Sequence, residues 1–390
     1  MNQGRFVFSQ LADHLPSRVF DRCVARYGGN HRVRHFTCRN QLLCMMFGQL
    51  SGRESLRDLI VGISAHRHKF HHLGFGRNVS RSNLAEANER RDFRIYEEFA
   101  YALIAEARTL CAGDPDLGID TDGSVYAFDS TVIDLCLSVF WWAHFRRAKG
   151  GVKMHTLFDV RLSIPCFAHV TTASVHDVNA LDVLVYEAGG IYILDRAYVD
   201  FGRLYTIHRC NAFFVVRAKK NFRFRRLSSR KVDRSEGLRC DQTARPTGRK
   251  QRKDYREKLR RVKVYDRERG RTIVLLTNNF ELPAEQIALL YRYRWRVELF
   301  FKWVKQHLRI KSFWGTSPNA VKTQIYIALI TYTLVAMIRK RTGCDRPMSE
   351  ILQILSVSLL DKSPLNQLLA NQENQEIKEP LSNQLEINFF

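Results

Sequence analysis

Three carboxylates stand out for the company they keep. Asp129 follows the strand-like run Val125 to Phe128 and precedes Ser-Thr, Asp195 follows Ile191 to Leu194 and precedes Arg-Ala-Tyr, and Glu298 lies inside a long helical stretch. An ionised Asp beside a buried strand is costly unless a charge compensates it, and a metal ion does so readily. Taken singly, each Asp has a plainer explanation, because Asp at a strand end often caps the turn that follows. The third acid changes the balance.

Around Glu298, the residues Tyr291, Arg294, Glu298 and Lys305 fall at intervals of 3, 4 and 7. At about 3.6 residues per turn they line one stripe of a helix. Polar residues at such spacing are also what a solvated salt-bridge ladder shows. Here Leu299, Phe300, Phe301, Trp303 and Val304 flank the stripe, so it is expected to lie in a cleft between buried surfaces. Other acids compete for the first position. Asp120 and Asp122 in I-D-T-D-G-S read as a turn entering the strand, and Asp134 comes five residues after Asp129, leaving Asp129 as our choice. His176 and Asp177 read first as a loop and a helix N-cap, with a place near the site as the lesser option.

These residues need elements to hold them. Residues from about 5 to 112 carry helical periodicity, which predicts a helical N-terminal domain, residues 1–114. Within it, residues 78–91 (NVSRSNLAEANERR) could form a helix-turn-helix recognition element or simply a capped surface helix. The His66, His68, His71 and His72 cluster carries Arg and Lys between its imidazoles and has no nearby Asp, Glu or Cys, so a solvated or polyanion-facing loop is the better reading. Leu73-Gly-Phe-Gly reads as a turn.

Beyond residue 115 the pattern changes to three early strands, then strands alternating with helices, including a helix near Asp177 to Glu187. This predicts an α/β catalytic domain, residues 115–345, with a mixed sheet flanked by helices. A basic, strand-rich insertion at about 220–272 interrupts it. One long helix from Pro283 then carries the stripe, and residues 346–390 read as a C-terminal helix and tail.

The chain of 390 residues has a net charge of +23. Between Arg217 and Arg271, 23 Lys or Arg stand against 7 Asp or Glu, a net of +16 in 55 residues. Interleaved Phe222, Phe224, Val262, Val264 and Tyr265 favour strands laid against a phosphate backbone as much as a solvated insertion. The nine cysteines are scattered with no C-x-x-C pair, as expected of reduced thiols in the cytoplasm. No secretory signal is evident. The richest apolar segment, Ile325 to Ile338, falls short of the ~18 uninterrupted apolar residues of a membrane span.

The spacing Y-x2-R-x3-E-x6-K over Tyr291, Arg294, Glu298 and Lys305 resembles the signature helix of DDE transposases of bacterial insertion sequences, in the fourth insertion-sequence family. F-D-S-T at Asp129 and L-D-R-A-Y at Asp195 are similar to that family's other two acids, in the right order, and a basic β-rich gap before the Glu is the family's habit. The resemblance implies a ribonuclease-H-like core in which Asp129, Asp195 and Glu298 gather two Mg²⁺ ions per active site, with Mn²⁺ able to substitute. It implies Arg294 and Lys305 as phosphate contacts, Tyr291 against the DNA end, and Trp295 as an aromatic that stacks on a base. Lys149, Lys153 and His155 in KGGVKMH either meet the DNA backbone or form an exposed hairpin. The expected partners are double-stranded DNA, as element ends and target, and a second copy of the chain in a synaptic complex, with a nucleoid-associated bacterial setting and no membrane. Two rivals are a nuclease of the same fold that hydrolyses without joining, and a DNA-binding derivative that keeps the fold without the chemistry.

Overall fold

The computed structural model describes residues 4–76, 79–111, 118–119, 121, 123–146, 149–235, 237–266, 270–308, 310 and 313–370. Asp120, Asp122, the tail at 371–390 and the side chain of Lys149 lie outside the described residues.

The expected helical region comprises α1 (Val7–Asp13), α2 (Ser17–Arg26), α3 (Cys38–Leu50), α4 (Leu56–Ala65), α5 (Phe70–Leu73), α6 (Arg81–Arg90) and α7 (Arg94–Cys111). Local chemistry sets several of the boundaries. Thr37, Ser55 and Ser80 open α3, α4 and α6 by accepting the backbone N–H of Asn40, Asp58 and Asn83. Gly74, at φ +80°, ends α5 in the left-handed conformation that glycine tolerates, which is the turn expected at Leu73-Gly-Phe-Gly. On α6, Asn88 faces inward and its Oδ1 accepts from Gln41 Nε2 at 2.8 Å.

The strands are β1 (Val125–Leu135), β2 (His144–Arg146), β3 (Lys149–Asp159), β4 (Ile164–Thr172), β5 (Ile191–Leu194), β6 (Phe213–Arg217), β7 (Phe224–Arg230), β8 (Leu238–Pro246), β9 (Leu259–Asp266) and β10 (Arg271–Thr277). β3 pairs antiparallel with β1 and β4, whereas β5 runs parallel to both β1 and β6. All belong to one sheet in the order β2-β3-β1-β5-β6-β10-β9-β8-β7, with β4 on β3. The insertion thus extends the sheet: β10 returns antiparallel to β6, and β9, β8 and β7 continue outward from it. The segment Asp177–Val183 is a 3-10 helix, shorter than the helix expected there, and His176 precedes it without a side-chain capping bond. Helix α8 (Phe201–Arg209) joins β5 to β6, and α9 (Arg249–Asp254) joins β8 to β9.

The stripe does not ride on one helix. It is divided between α10 (Ala284–Tyr293) and α11 (Trp295–His307), which meet at Arg294. There the backbone tightens to i→i+3 bonds, Arg294 N–H to Tyr291 O and Val297 N–H to Arg294 O, each at 3.3 Å.

Helices α12 (Pro318–Arg341), α13 (Met348–Ser358) and α14 (Leu365–Leu369) follow. By length and composition α12 could cross a membrane, which the count of uninterrupted apolar residues did not show. Yet 89% of its apolar window is buried, as in a core helix. α12 packs along α7 and against α3 and α6, and the backbone of α1 bonds to the far end of the chain, Val7 N–H to Asp361 O at 2.9 Å and Phe8 N–H to Leu359 O at 3.0 Å. One continuous apolar core therefore joins the N-terminal helices, one face of the sheet and α11 to α13. A second core lies under the other face.

Candidate active site

Strand register and alternation place two of the acids. β1 and β5 pair in parallel with Phe128 opposite Leu194, so Asp129 and Asp195 emerge side by side one step beyond the last pair. Tyr126, Phe128, Tyr192 and Leu194 point into the second core, whereas Val125, Ala127, Ile191 and Ile193 point into the core shared with Val297, Phe300 and Val304 of α11. By the period of two, Asp129 and Asp195 face α11. Asp134 has the opposite parity on β1 and is exposed, which removes it from the cluster.

The signature stripe meets these acids residue by residue. The Tyr291 hydroxyl donates to Asp195 Oδ1 at 3.1 Å. Arg294 donates through Nη1 to Asp129 Oδ2 at 2.8 Å and through Nη2 to Glu298 Oε1, tying β1 to α11 with a guanidinium only 14% exposed. Lys305, half-buried, donates from Nζ to Val132 O at 2.7 Å, so this ammonium, expected as a phosphate contact, also braces α11 against β1. Trp295 is 47% exposed beside Arg294, as a ring offered to a ligand must be.

Lys153 also departs from the sequence reading. It is buried, donates to Val175 O at 2.7 Å and pairs with Asp177 at 3.0 Å, so its charge is spent inside the fold. Asp177 in turn accepts from the Ser130 hydroxyl at 2.7 Å, fixing the strand residue next to Asp129 from the opposite face. His155 is fully buried, with Nε2 at 3.1 Å from Thr171 Oγ1, and is not a backbone contact for DNA. Alternation along β1 could have separated Ser130 from Asp129, but nothing in the sequence marks Asp177 as its partner.

Burial pushes the Asp129 carboxyl up to about 6. The Ser130 N–H and Arg294 oppose the rise, and the nearby charges of Asp195 and Glu298 add to it. An unfolded Asp titrates near ~3.9. Between about pH 4 and pH 6 the folded chain therefore holds a proton that the unfolded chain releases, so this group's contribution to stability falls as the pH rises through that window. Asp129→Asn is expected to stabilise the chain in EDTA by roughly 2–3 kcal/mol at pH 7 and hardly at all at pH 4. Thermal melts at the two pH values check this, and equal shifts at both would refute it.

Three carboxylates facing one guanidinium leave a net negative cluster, and its donors are all hard oxygens of the kind Mg²⁺ prefers. The residues fit a divalent cation in kind and charge. Among the described residues, however, no three such side chains already enclose a metal-sized position, and Arg294 lies between Asp129 and Glu298.

Residues 120–334, more than half of the chain, match the family model of the transposase DDE domain. The chain belongs to this family. Its transposase relatives include a protein of Sinorhizobium fredii named as transposase y4zB, 33% identical over 285 residues that cover 72% of this chain and 77% of the relative. A second, named as the transposase of insertion sequence element IS5377 of Geobacillus stearothermophilus, is 33% identical over 55% of this chain and 56% of its own length. A third, from Synechocystis and named for element IS4SA, is 22% identical over 74% and 80%. Residues 3–76 of the transposase match a domain of unknown function (DUF4372). The resemblance read from the signature helix thus holds: the chain is a DDE transposase of bacterial insertion sequences, an enzyme of DNA cleavage and strand transfer. Its family binds DNA and generally uses divalent metal ions.

Proposed function

We propose that this transposase cuts the inverted-repeat ends of its element and joins them to target DNA with Asp129, Asp195 and Glu298 as its catalytic acids, in a ribonuclease-H-like core. Three antiparallel strands followed by two parallel ones, two acids at the ends of adjacent strands and a third on a helix packed across them support that reading. The observation that carries it is the convergence of the signature helix on both strand acids, Tyr291 on Asp195 and Arg294 on Asp129 and Glu298.

The three carboxylates would hold two Mg²⁺ or Mn²⁺ ions. When bound, such ions activate the attacking oxygen and stabilise the leaving one of an in-line displacement. Tyr291 orients the Asp195 carboxylate through its hydroxyl. Arg294 balances the cluster, and its planar fork matches a pair of phosphate oxygens. The ring of Trp295 offers a stacking face to a base at the DNA end.

The insertion supplies the wider DNA surface. Arg225, Arg245, Arg252 and Arg256 line a groove of about 560 Å³ with Pro246 and Thr247. Each phosphate neutralised adds about 0.9 to the slope of log affinity against log salt. Replacing Arg225 and Arg245 by Ala is expected to lower that slope by about 2, measured by salt titration of binding to end DNA. An unchanged slope would place the DNA elsewhere. The helices of residues 1–114 contribute further DNA contacts in this reading, and a homodimer brings two ends together.

The test is a joining assay. Element-end DNA and a supercoiled plasmid incubated with the full chain and Mg²⁺ should give end cleavage and joined plasmid products, both lost in EDTA. Joined products at the native rate from Asp129→Asn or Asp195→Asn would remove the acids from their assigned role, and cleavage without joining would favour the hydrolytic nuclease.

A further inference from the structure

Arg260 of β9 heads the large side chains that are almost wholly buried, at 2% exposure, and it lies in the basic insertion, where most of the other described arginines are exposed. Asp241 of β8 takes it side-on, with Nε to Oδ1 at 2.9 Å and Nη2 to Oδ2 at 2.8 Å. The remaining nitrogen, Nη1, donates to Leu282 O and, at 3.4 Å, to Asn279 O. Those carbonyls belong to the turn between β10 and α10. Asn279 Oδ1 closes this turn by accepting from Glu281 and Leu282 N–H at 3.0 and 2.9 Å, and Pro283 then opens α10.

The same turn is held at its other end by the catalytic half of the sheet. Asn278 Oδ1 accepts from Phe214 N–H, and Asn278 Nδ2 donates to Ala212 O, each at 2.9 Å. The start of the signature helix is thus clamped between β6 and the insertion. An apolar pair of similar volume would fill the space around Arg260 and Asp241 with no charges to desolvate. What the ion pair supplies instead is direction: a planar fork fixes where two carbonyls sit, and they fix where α10 begins.

We infer that Arg260 and Asp241 are positioning residues for catalysis: through the turn at 279–282 they set the seat of α10 and α11, and with it Tyr291, Arg294 and Glu298. The inference rests on the reading of Glu298 as a catalytic acid. Arg230, on the outermost strand β7, marks the route by which DNA reaches this seat. Its side chain is 46% exposed, lies 3.8 Å from Asp241 and donates to Phe280 O at 3.3 Å. A phosphate that takes the Arg230 guanidinium leaves Asp241 to Arg260 alone, so DNA on the insertion and the position of the acid are mechanically joined.

The experiment separates binding from cleavage in the full chain. Affinity for end DNA is measured by anisotropy in EDTA, and single-turnover cleavage at saturating protein with Mg²⁺. Arg260→Lys keeps the charge and loses the fork; D241L/R260M removes both charges and keeps the volume. Both should bind DNA within about twofold of native and cleave it at least tenfold more slowly, since an error of about 1 Å in a reacting group can cost ~10²-fold. Arg230→Gln, which removes the DNA contact assigned to the surface side of this clamp, should weaken affinity for end DNA. Native cleavage by the double variant overturns the inference, as does loss of DNA binding in step with an earlier melt, because the pair would then only hold the insertion together. Glu298→Gln runs alongside: native cleavage there would undo the reading of the acid itself, whatever the Arg260 variants do.

Discussion

Glu298→Gln is expected to lower single-turnover end cleavage by about a thousandfold or more while leaving DNA affinity within a few-fold of native. The substitution keeps shape and removes one charge. If the acid holds a cation that stabilises the displacement by several kcal/mol, each ~1.4 kcal/mol lost costs tenfold. It also rearranges the cluster, because Arg294 then has only Asp129 as an ionic partner in place of Asp129 and Glu298. Binding should survive, since most of the positive surface lies on the insertion. A rate within tenfold of native would remove Glu298 from the chemistry. A loss of affinity parallel to the loss of rate would make it a binding residue.

The largest expected effect on stability comes from Asp241→Ala. Arg260 is 2% and Asp241 5% exposed in their side chains, so truncating the acid strands a guanidinium in the interior. Removing one partner of a buried pair typically costs about 3–5 kcal/mol, whereas replacing both by apolar residues is often neutral or favourable. Urea unfolding should therefore rank Asp241→Ala well below native and D241L/R260M near it. If the single variant is as stable as native, the guanidinium has found water or another partner, and the clamp on α10 is weaker than the geometry implies.

The sequence revealed individual elements better than their pairings. Apolar runs before Asp129 and Asp195 marked strands because both faces of β1 and β5 are buried. The four-point spacing marked the stripe because helical period brings Glu298 and Lys305 to one side of α11, but it gave no sign of the junction at Arg294 that leaves Tyr291 on α10. Which strands lie together is not a local property, so the parallel register that sets Asp129 beside Asp195 was out of reach, as was the return of β10 against β6 that turns an apparent interruption into an extension of the sheet. The direction of cations was equally hidden. Lys153 sits in a strand with no polar alternation to show which face it takes, and Lys305 belongs to the stripe yet turns its ammonium to a carbonyl of β1. Arg260 was one of 23 basic residues in its segment, and only burial distinguishes it.

The joining of the two ends of the chain has a consequence during synthesis. The apolar faces of α3, α6 and α7 are covered by α12, and α1 is tied by its backbone to Leu359 and Asp361. A ribosome adding about 5–20 residues per second makes α12 roughly 10 to 50 seconds after α7. Until then the first helices have apolar surface and no partner for it, so a polypeptide cut short before α12 should be a client for chaperones and proteases rather than a competing half-enzyme.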